Sequence, residues 1–179
     1  MPDPTAALNG EWDFPHLLNG CQLTVRAIEC FRMLKPGGIC ALSTWDTIGW
    51  IGDVRAAFAT IPGAPPFPDV ESWLASWGEG AWHRATYVEQ QLTAHGFVNV
   101  RVEIVPDTVT IPSPEQYYEV FSPMVQHIKT KFWSEDECER CGGSIKPALL
   151  KYLTDKYGEG RPIETNWAAI LTTASKPSK

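Results

Sequence analysis

Apolar positions Leu23, Ala27, Ile28, Phe31 and Leu34 recur at intervals of three and four, which predicts a helix over 23–34. Lys35-Pro36-Gly37-Gly38 stops that helix and turns the chain. The next stretch, "ICALSTW", is an unbroken apolar run, as expected of a strand buried on both faces. Helical spacing returns over 46–60, opening at Asp46 or Thr47 with Val54, Ala57 and Phe58 on one face. "IPGAPPFPD" places four prolines within seven residues, so it is a loop. Trp73 and Trp77 then stand at i and i+4 of a short helix.

Thr86-Tyr87-Val88-Glu89 matches a capping box, with its helix running to His95 and closed by Gly96. Residues 98–111 alternate with period two, predicting a strand with a break at Pro106. Ser113-Pro114-Glu115-Gln116 is a second box, with proline at N1. Its helix carries Tyr117, Phe121, Val125 and Ile128, and Pro123 is expected to kink or split it. A third box at Ser134–Glu137 opens a helix interrupted by Gly142-Gly143. A further helix covers 145–157, closed by Gly158, and "IETNWAAILTTASK" reads as a last strand. Ahead of all this, 1–11 reads as a loose arm and Trp12–Phe14 as a short strand.

This order of elements points to one α/β domain with a mostly parallel sheet. Residues 12–111 and 162–176 supply the sheet core, and 112–161 a helical insertion. At 179 residues with 44% hydrophobic and 20% charged content, the chain is long enough to bury a core. A formal charge of −6 argues against a nucleic-acid partner and against an anionic membrane surface. No basic, apolar leader opens the sequence and no run of 18 apolar residues occurs. Five cysteines, an odd count, suit a reducing compartment, so a cytoplasmic location is expected. Eight tryptophans are many for this length, and both cores and ligand pockets use that side chain.

"ECFRMLKPGGICALSTW", residues 29–45, resembles the E-x-x-R-x-L-K-P-G-G segment of class I S-adenosylmethionine (SAM) dependent methyltransferases, where a helix, this turn and the fifth strand follow one another. "LTAHGFVNVRVE" is similar to that family's helix ending in Gly-Phe and the strand after it. "KYGEGRP" followed by "WAAILTTASK" resembles the closing strand of fungal small-molecule members. The likeness covers roughly 23–176. It implies the carboxy-terminal half of a Rossmann-like methyltransferase fold. That half would be a small mixed sheet, with the last strand antiparallel between its neighbours, flanked by helices and a helical cap.

The family holds SAM on a glycine-rich turn after its first strand and on acidic residues ending later strands. No such G-x-G stands upstream of Gly37-Gly38. Gly78-Glu79-Gly80 and Gly158-Glu159-Gly160 have the spacing without the strand–turn–helix context. The expectation is therefore no cofactor and no residue to carry over as a SAM ligand. A half sheet would leave an apolar edge, which predicts a homodimer, or a heterodimer with a methyltransferase, closed across it.

Cys138-Glu-Arg-Cys141 lacks a second pair for zinc and lies in an acidic helix, so no metal site is expected. His95, in a last helical turn, reads as structural. By resemblance, Asp13, His16 and Asn19 follow the fourth strand and face the reaction centre. His83 and His127 lie among aromatics, and with Tyr117, His16 and Asp13 they are the candidates for an acid–base or polarising role. The aromatic set Trp45, Trp50, Trp73, Trp77, Trp82, Tyr87, Tyr117, Phe121, Met124 and Trp133 is expected, by the same resemblance, to supply a substrate pocket. Asn19, Trp45, Trp50, Trp77, Trp82, Phe121, Met124 and Trp133 are its expected contacts.

Three functions compete at this point. One is a SAM-independent enzyme of natural-product biosynthesis that cyclises (Diels–Alder type) or isomerises a hydrophobic small molecule in that pocket. Another is a non-catalytic subunit that completes or regulates a full-length methyltransferase. The third is a truncated relic.

Overall fold

The computed structural model describes residues 20–179. The expected strand at Trp12–Phe14 and the candidates Asp13, His16 and Asn19 lie outside the described residues. Eleven elements follow in chain order: α1 Gly20–Met33, β1 Ile39–Thr47, α2 Ile51–Phe58, α3 Val70–Ala75, α4 Ala85–Ala94, β2 Val98–Ile111, α5 Pro114–Phe132, α6 Glu135–Cys141, a 3₁₀ turn Gly142–Ser144, α7 Ile145–Tyr157 and β3 Ile163–Ser175.

The α/β class holds, with a three-stranded sheet in the order β1-β3-β2. β3 lies antiparallel between its neighbours, as the resemblance implies, so among the described strands no ladder is parallel. The alternation of strands and helices alone suggested mostly parallel pairing. It could not register that β3 returns from α7 to run antiparallel between β1 and β2, which pair only with it.

Side chains alternate across each strand, so the sheet has two distinct faces. On one face Cys40, Leu42, Val102, Ile170 and Ala174 pack with Ala27 and Phe31 of α1 and with Val88 and Leu92 of α4. The opposite face is covered only at one end, by a helical lobe. There Val54 and Phe58 of α2, Trp73 of α3, Tyr117, Phe121 and Ile128 of α5 and Leu149 and Leu153 of α7 form the larger core. β1 is therefore not buried on both faces: Ile39, Ala41, Ser43 and Trp45 are exposed and Cys40, Leu42 and Thr44 half-buried.

Other local expectations shift for identifiable reasons. β1 runs on to Thr47, because Thr47 still pairs with Ala168, and α2 opens only at Ile51. The box at Thr86 does not form: Arg84 is the N-cap, without a side-chain bond, and the box at Ser113 keeps the serine half, accepting from Gln116 N. Ser134 and Glu137 make the full reciprocal box. β2 passes Pro106 without a break, since Pro106 faces Ala168 on a strand paired on one side, where a missing N–H is tolerated. Pro123 does not end α5 either. It leaves the Glu119 carbonyl without its usual donor, and the Ser122 hydroxyl donates to that oxygen at 3.0 Å.

Candidate functional site

A cavity of about 290 Å³ opens where the helical lobe meets the sheet. Its sheet side is Trp45 of β1, Val109 and Ile111 of β2 and Trp167 of β3; the remaining wall is Ile48, Trp50, Trp73, Val120, Phe121 and Met124. Every lining side chain is apolar or aromatic. Trp45 and Val120, 41% and 48% exposed, stand at the mouth, while Trp50 and Trp73 are fully buried behind it.

The rings form a connected set. Trp50 stacks on Phe121 with centroids 5.6 Å apart and planes at 24°, and Phe121 continues the stack onto Trp167 at 6.1 Å and 24°. Trp73 meets Trp50 edge-on at 5.2 Å, and Trp45 meets Trp167 edge-on at 5.1 Å. Such offset and T-shaped contacts hold rings more firmly than area burial alone. The result is a pocket whose walls are fixed before any ligand arrives.

Four of the expected contacts, Trp45, Trp50, Phe121 and Met124, line this cavity. Three others are core elsewhere. Trp77 stacks on His127 at 3.7 Å, Trp82 packs edge-on against Tyr87 under α4, and Trp133 packs on Phe58. Trp73, part of the aromatic set, is a lining residue; Trp167, Ile48, Val109, Ile111 and Val120 are additions. No periodicity singles these out: Val109, Ile111 and Trp167 meet through the pairing of β2 with β3, and Ile48 and Val120 join them from the β1–α2 turn and from α5.

Of the acid–base candidates that are described, His83, Tyr117 and His127 do not line the cavity. Tyr117 is fully buried and its hydroxyl donates to Trp50 O at 3.2 Å, with Asp53 Oδ2 at 3.5 Å. Burial, reinforced by the nearby Asp53 carboxylate, pushes its pKa far above the ordinary phenol value, so it stays a donor. Asp53, unremarked in the sequence, accepts from Lys156 Nζ at 2.6 Å and Tyr157 OH at 2.9 Å. The bond to Asp53 holds the Lys156 ammonium above its usual range. This cluster joins α2, α5 and α7 behind the cavity wall.

His127 sits 2.8 Å from Ser76 Oγ, whose own proton goes to Trp73 O at 2.6 Å. With that proton committed, His127 presents Nε2–H and donates. Burial, then the charge of Lys131, lowers its pKa, which favours the neutral ring. His83 lies in the loop before α4, 3.4 Å from Glu71, which also pairs with Arg84. His127 and His83 are thus ties between α3, α5 and the loop. His95 Nδ1 meets Gln91 O at 2.7 Å, a local helix-end contact.

The described residues do not fit SAM. Gly78-Glu79-Gly80 and Gly158-Glu159-Gly160 lie in the loops after α3 and α7, and neither follows a strand. The cavity holds no carboxylate to receive ribose hydroxyls and no glycine cradle for a charged group. Cys138 and Cys141 are free thiols, the first with its Sγ 3.8 Å from Lys129 O. Among the described residues no three His, Cys, Asp or Glu side chains converge as a metal site. Among them, too, no helix is long and apolar enough to cross a membrane.

No family model matches the chain. It is 34% identical over 151 residues to acetylaranotin bis-thiomethyltransferase of Aspergillus terreus, covering 84% of this chain and 54% of that protein. It is 28% identical to methyltransferase tpcH of Aspergillus fumigatus and 30% identical to methyltransferase ktnA of Aspergillus niger. Each match covers 83% of this chain, and 52% and 48% of those proteins respectively. Among solved structures, phosphoethanolamine N-methyltransferase 2 of Haemonchus contortus aligns at 12% identity with a TM-score of 0.35. The alignment covers 90% of this chain and 31% of that one, a likeness too loose to bear on fold or function. The chain is thus similar along most of its length to fungal methyltransferases, and it spans about half the length of each of them.

Proposed function

We propose that this protein serves natural-product biosynthesis by holding an apolar, ring-bearing small molecule in the aromatic cavity. The reaction we assign to it is a SAM-independent pericyclic cyclisation or isomerisation. The observation that carries this is the cavity itself: its walls are a connected aromatic set and, among the described residues, contain no ionisable group. A pericyclic step asks for little else. In a [4+2] closure, two σ bonds form from the π electrons of a diene and a dienophile, and no proton, electron or co-reactant enters or leaves. Acceleration then comes from holding the reactive conformer, for which apolar walls suffice. His127, His83 and Tyr117, engaged elsewhere, are not required.

The test is incubation of the purified protein with polyene or quinone-type intermediates, scored for SAM-independent product formation above background. Conversion lost in Trp50→Ala and Phe121→Ala supports the proposal. Conversion that appears only with SAM, or a cavity that binds no apolar probe, sinks it.

A second reading is favoured by the relatives. Each is named a methyltransferase, and this chain matches about half of each. On that reading the chain is a subunit that supplies an acceptor pocket to a methyltransferase. It pairs with that partner, or with a second copy of itself, along the β1 edge. Light scattering of the protein alone and mixed with a full-length fungal methyltransferase separates the cases. A monomer that changes neither mass nor the partner's acceptor preference rejects this second reading.

A further inference from the structure

The indole nitrogens of Trp73, Trp77, Trp82 and Trp133 are buried and have no hydrogen-bond partner among the described residues. Trp167 differs. Its Nε1–H donates to Thr165 Oγ1 at 2.8 Å, and the Thr165 hydroxyl in turn donates to Val109 O at 3.2 Å. Thr165 is itself buried, 3% exposed, so neither bond competes with water. Four buried indole N–H groups, that of the lining residue Trp73 included, are left unpaired among the described residues, so the pairing of Trp167 fixes an orientation that packing alone does not.

A second observation points the same way. Gly49 lies between the cavity residues Ile48 and Trp50, against the same indole. A Cβ there would stand 2.8 Å from Trp167 Nε1 and 2.6 Å from Asn166 O. The turn between β1 and α2 has thus given up a side chain where the Trp167 ring edge and the Thr165 hydroxyl meet. Trp167 is also the ring that joins two walls, stacking on Phe121 of α5 and meeting Trp45 of β1 edge-on. Rotating it would open the stack and change the shape of the space beside it.

We infer that Thr165 is a positioning residue for the ligand site. Its hydroxyl pins the Trp167 indole so that the ring plane continues the Trp50–Phe121 stack, and the pinned plane selects flat ring systems over bulky, non-planar ones. The inference rests on the proposed use of the cavity for a ring-bearing molecule. It concerns the orientation of one side chain and can be read without a substrate.

The experiment uses the full chain, with 1-aminoanthracene as a flat apolar probe and 1-adamantanol as its bulky, uncharged competitor. The Trp167 Nε1–H resonance is assigned by its disappearance in Trp167→Phe. In the wild type this proton should exchange slowly with solvent. Thr165→Val keeps the volume and removes the hydroxyl. It should speed that exchange, weaken the flat probe about tenfold, the effect of one lost hydrogen bond, and leave the bulky one unchanged. Thr165→Ser should restore both readouts. A wild-type Trp167 proton that exchanges freely overturns the inference, as does a valine variant that keeps slow exchange. Fast exchange with unaltered probe preference also overturns it. A wild type that binds neither probe refutes the cavity reading instead, while the exchange rate still decides whether the pin exists.

Discussion

Removing the Asp53 carboxylate is expected to cost more than its place on a short eight-residue helix suggests. Its side chain is 4% exposed, whereas that of its partner Lys156 is 46% exposed. In Asp53→Ala, Lys156 can turn out to water, so the ion pair contributes only about 1 kcal/mol, the range of a half-exposed pair. Tyr157 loses its 2.9 Å acceptor, about 1 kcal/mol. Tyr117 keeps Trp50 O, so its weak 3.5 Å contact to Asp53 adds nothing. Loss of the buried side-chain volume adds about 1 kcal/mol. The sum is about 3 kcal/mol, or a fall in Tm of about 9 °C for a chain of this size. Asp53→Asn keeps the shape and the Tyr157 bond and should cost about 1 kcal/mol. Urea unfolding followed by tryptophan fluorescence, with calorimetric Tm, measures both. An alanine variant within about 0.5 kcal/mol of the wild type would refute the account of this cluster as the joint between α2 and α7.

Other perturbations follow from the same geometry. The lowered pKa of His127 means that the unfolded chain takes up a proton before the folded one does. Stability is then full above the ordinary histidine pKa of about 6.5 and falls as pH drops through it. His127→Gln should flatten that slope below about pH 7, and an unchanged slope would assign it to other groups. Gly49→Ala should destabilise by about 2 kcal/mol, since one neighbour of the new methyl is the Asn166 carbonyl and backbone cannot step aside cheaply; urea midpoints report it. Met124→Trp, which grows into the cavity, should abolish binding of 1-aminoanthracene while Tm shifts by only a few degrees, because the space to be filled already exists.

Secondary structure was legible wherever the signal was local. Gly158 closes α7, Ser134 and Glu137 cap α6, and the apolar spacing before Lys35 marks α1. Where tertiary pairing competes, the local signal loses. Asp46 and Thr47 look like a helix start, yet Thr47 is held by Ala168. The site divides in the same way. Trp45, Trp50, Phe121 and Met124 could be named from aromatic content and resemblance: the first two end or follow the strand aligned with the family's fifth, and the last two stand in the expected helical insertion. Trp167 could not: its strand alternates like any other, and its partners are Thr165, two residues away, and Phe121 and Trp45, from distant parts of the chain. Asp53 is one carboxylate among many until α7 brings Lys156 and Tyr157 against it.

The placing of β3 has a consequence for how the protein is made. β1 and β2 touch only through it, and Ile39 waits for Ser175 while Val98 waits for the same residue. A ribosome that has delivered both outer strands has therefore delivered no sheet. During that interval α1 and α4 lack Ile170 and Ala174 of the surface they pack on, and the apolar residues of β1 remain open to other chains. Closing contacts of such sequence separation is slow compared with forming local helices. Completion waits for β3, and the yield of soluble protein should depend on chaperone supply and on synthesis rate more than the small size of the sheet would suggest.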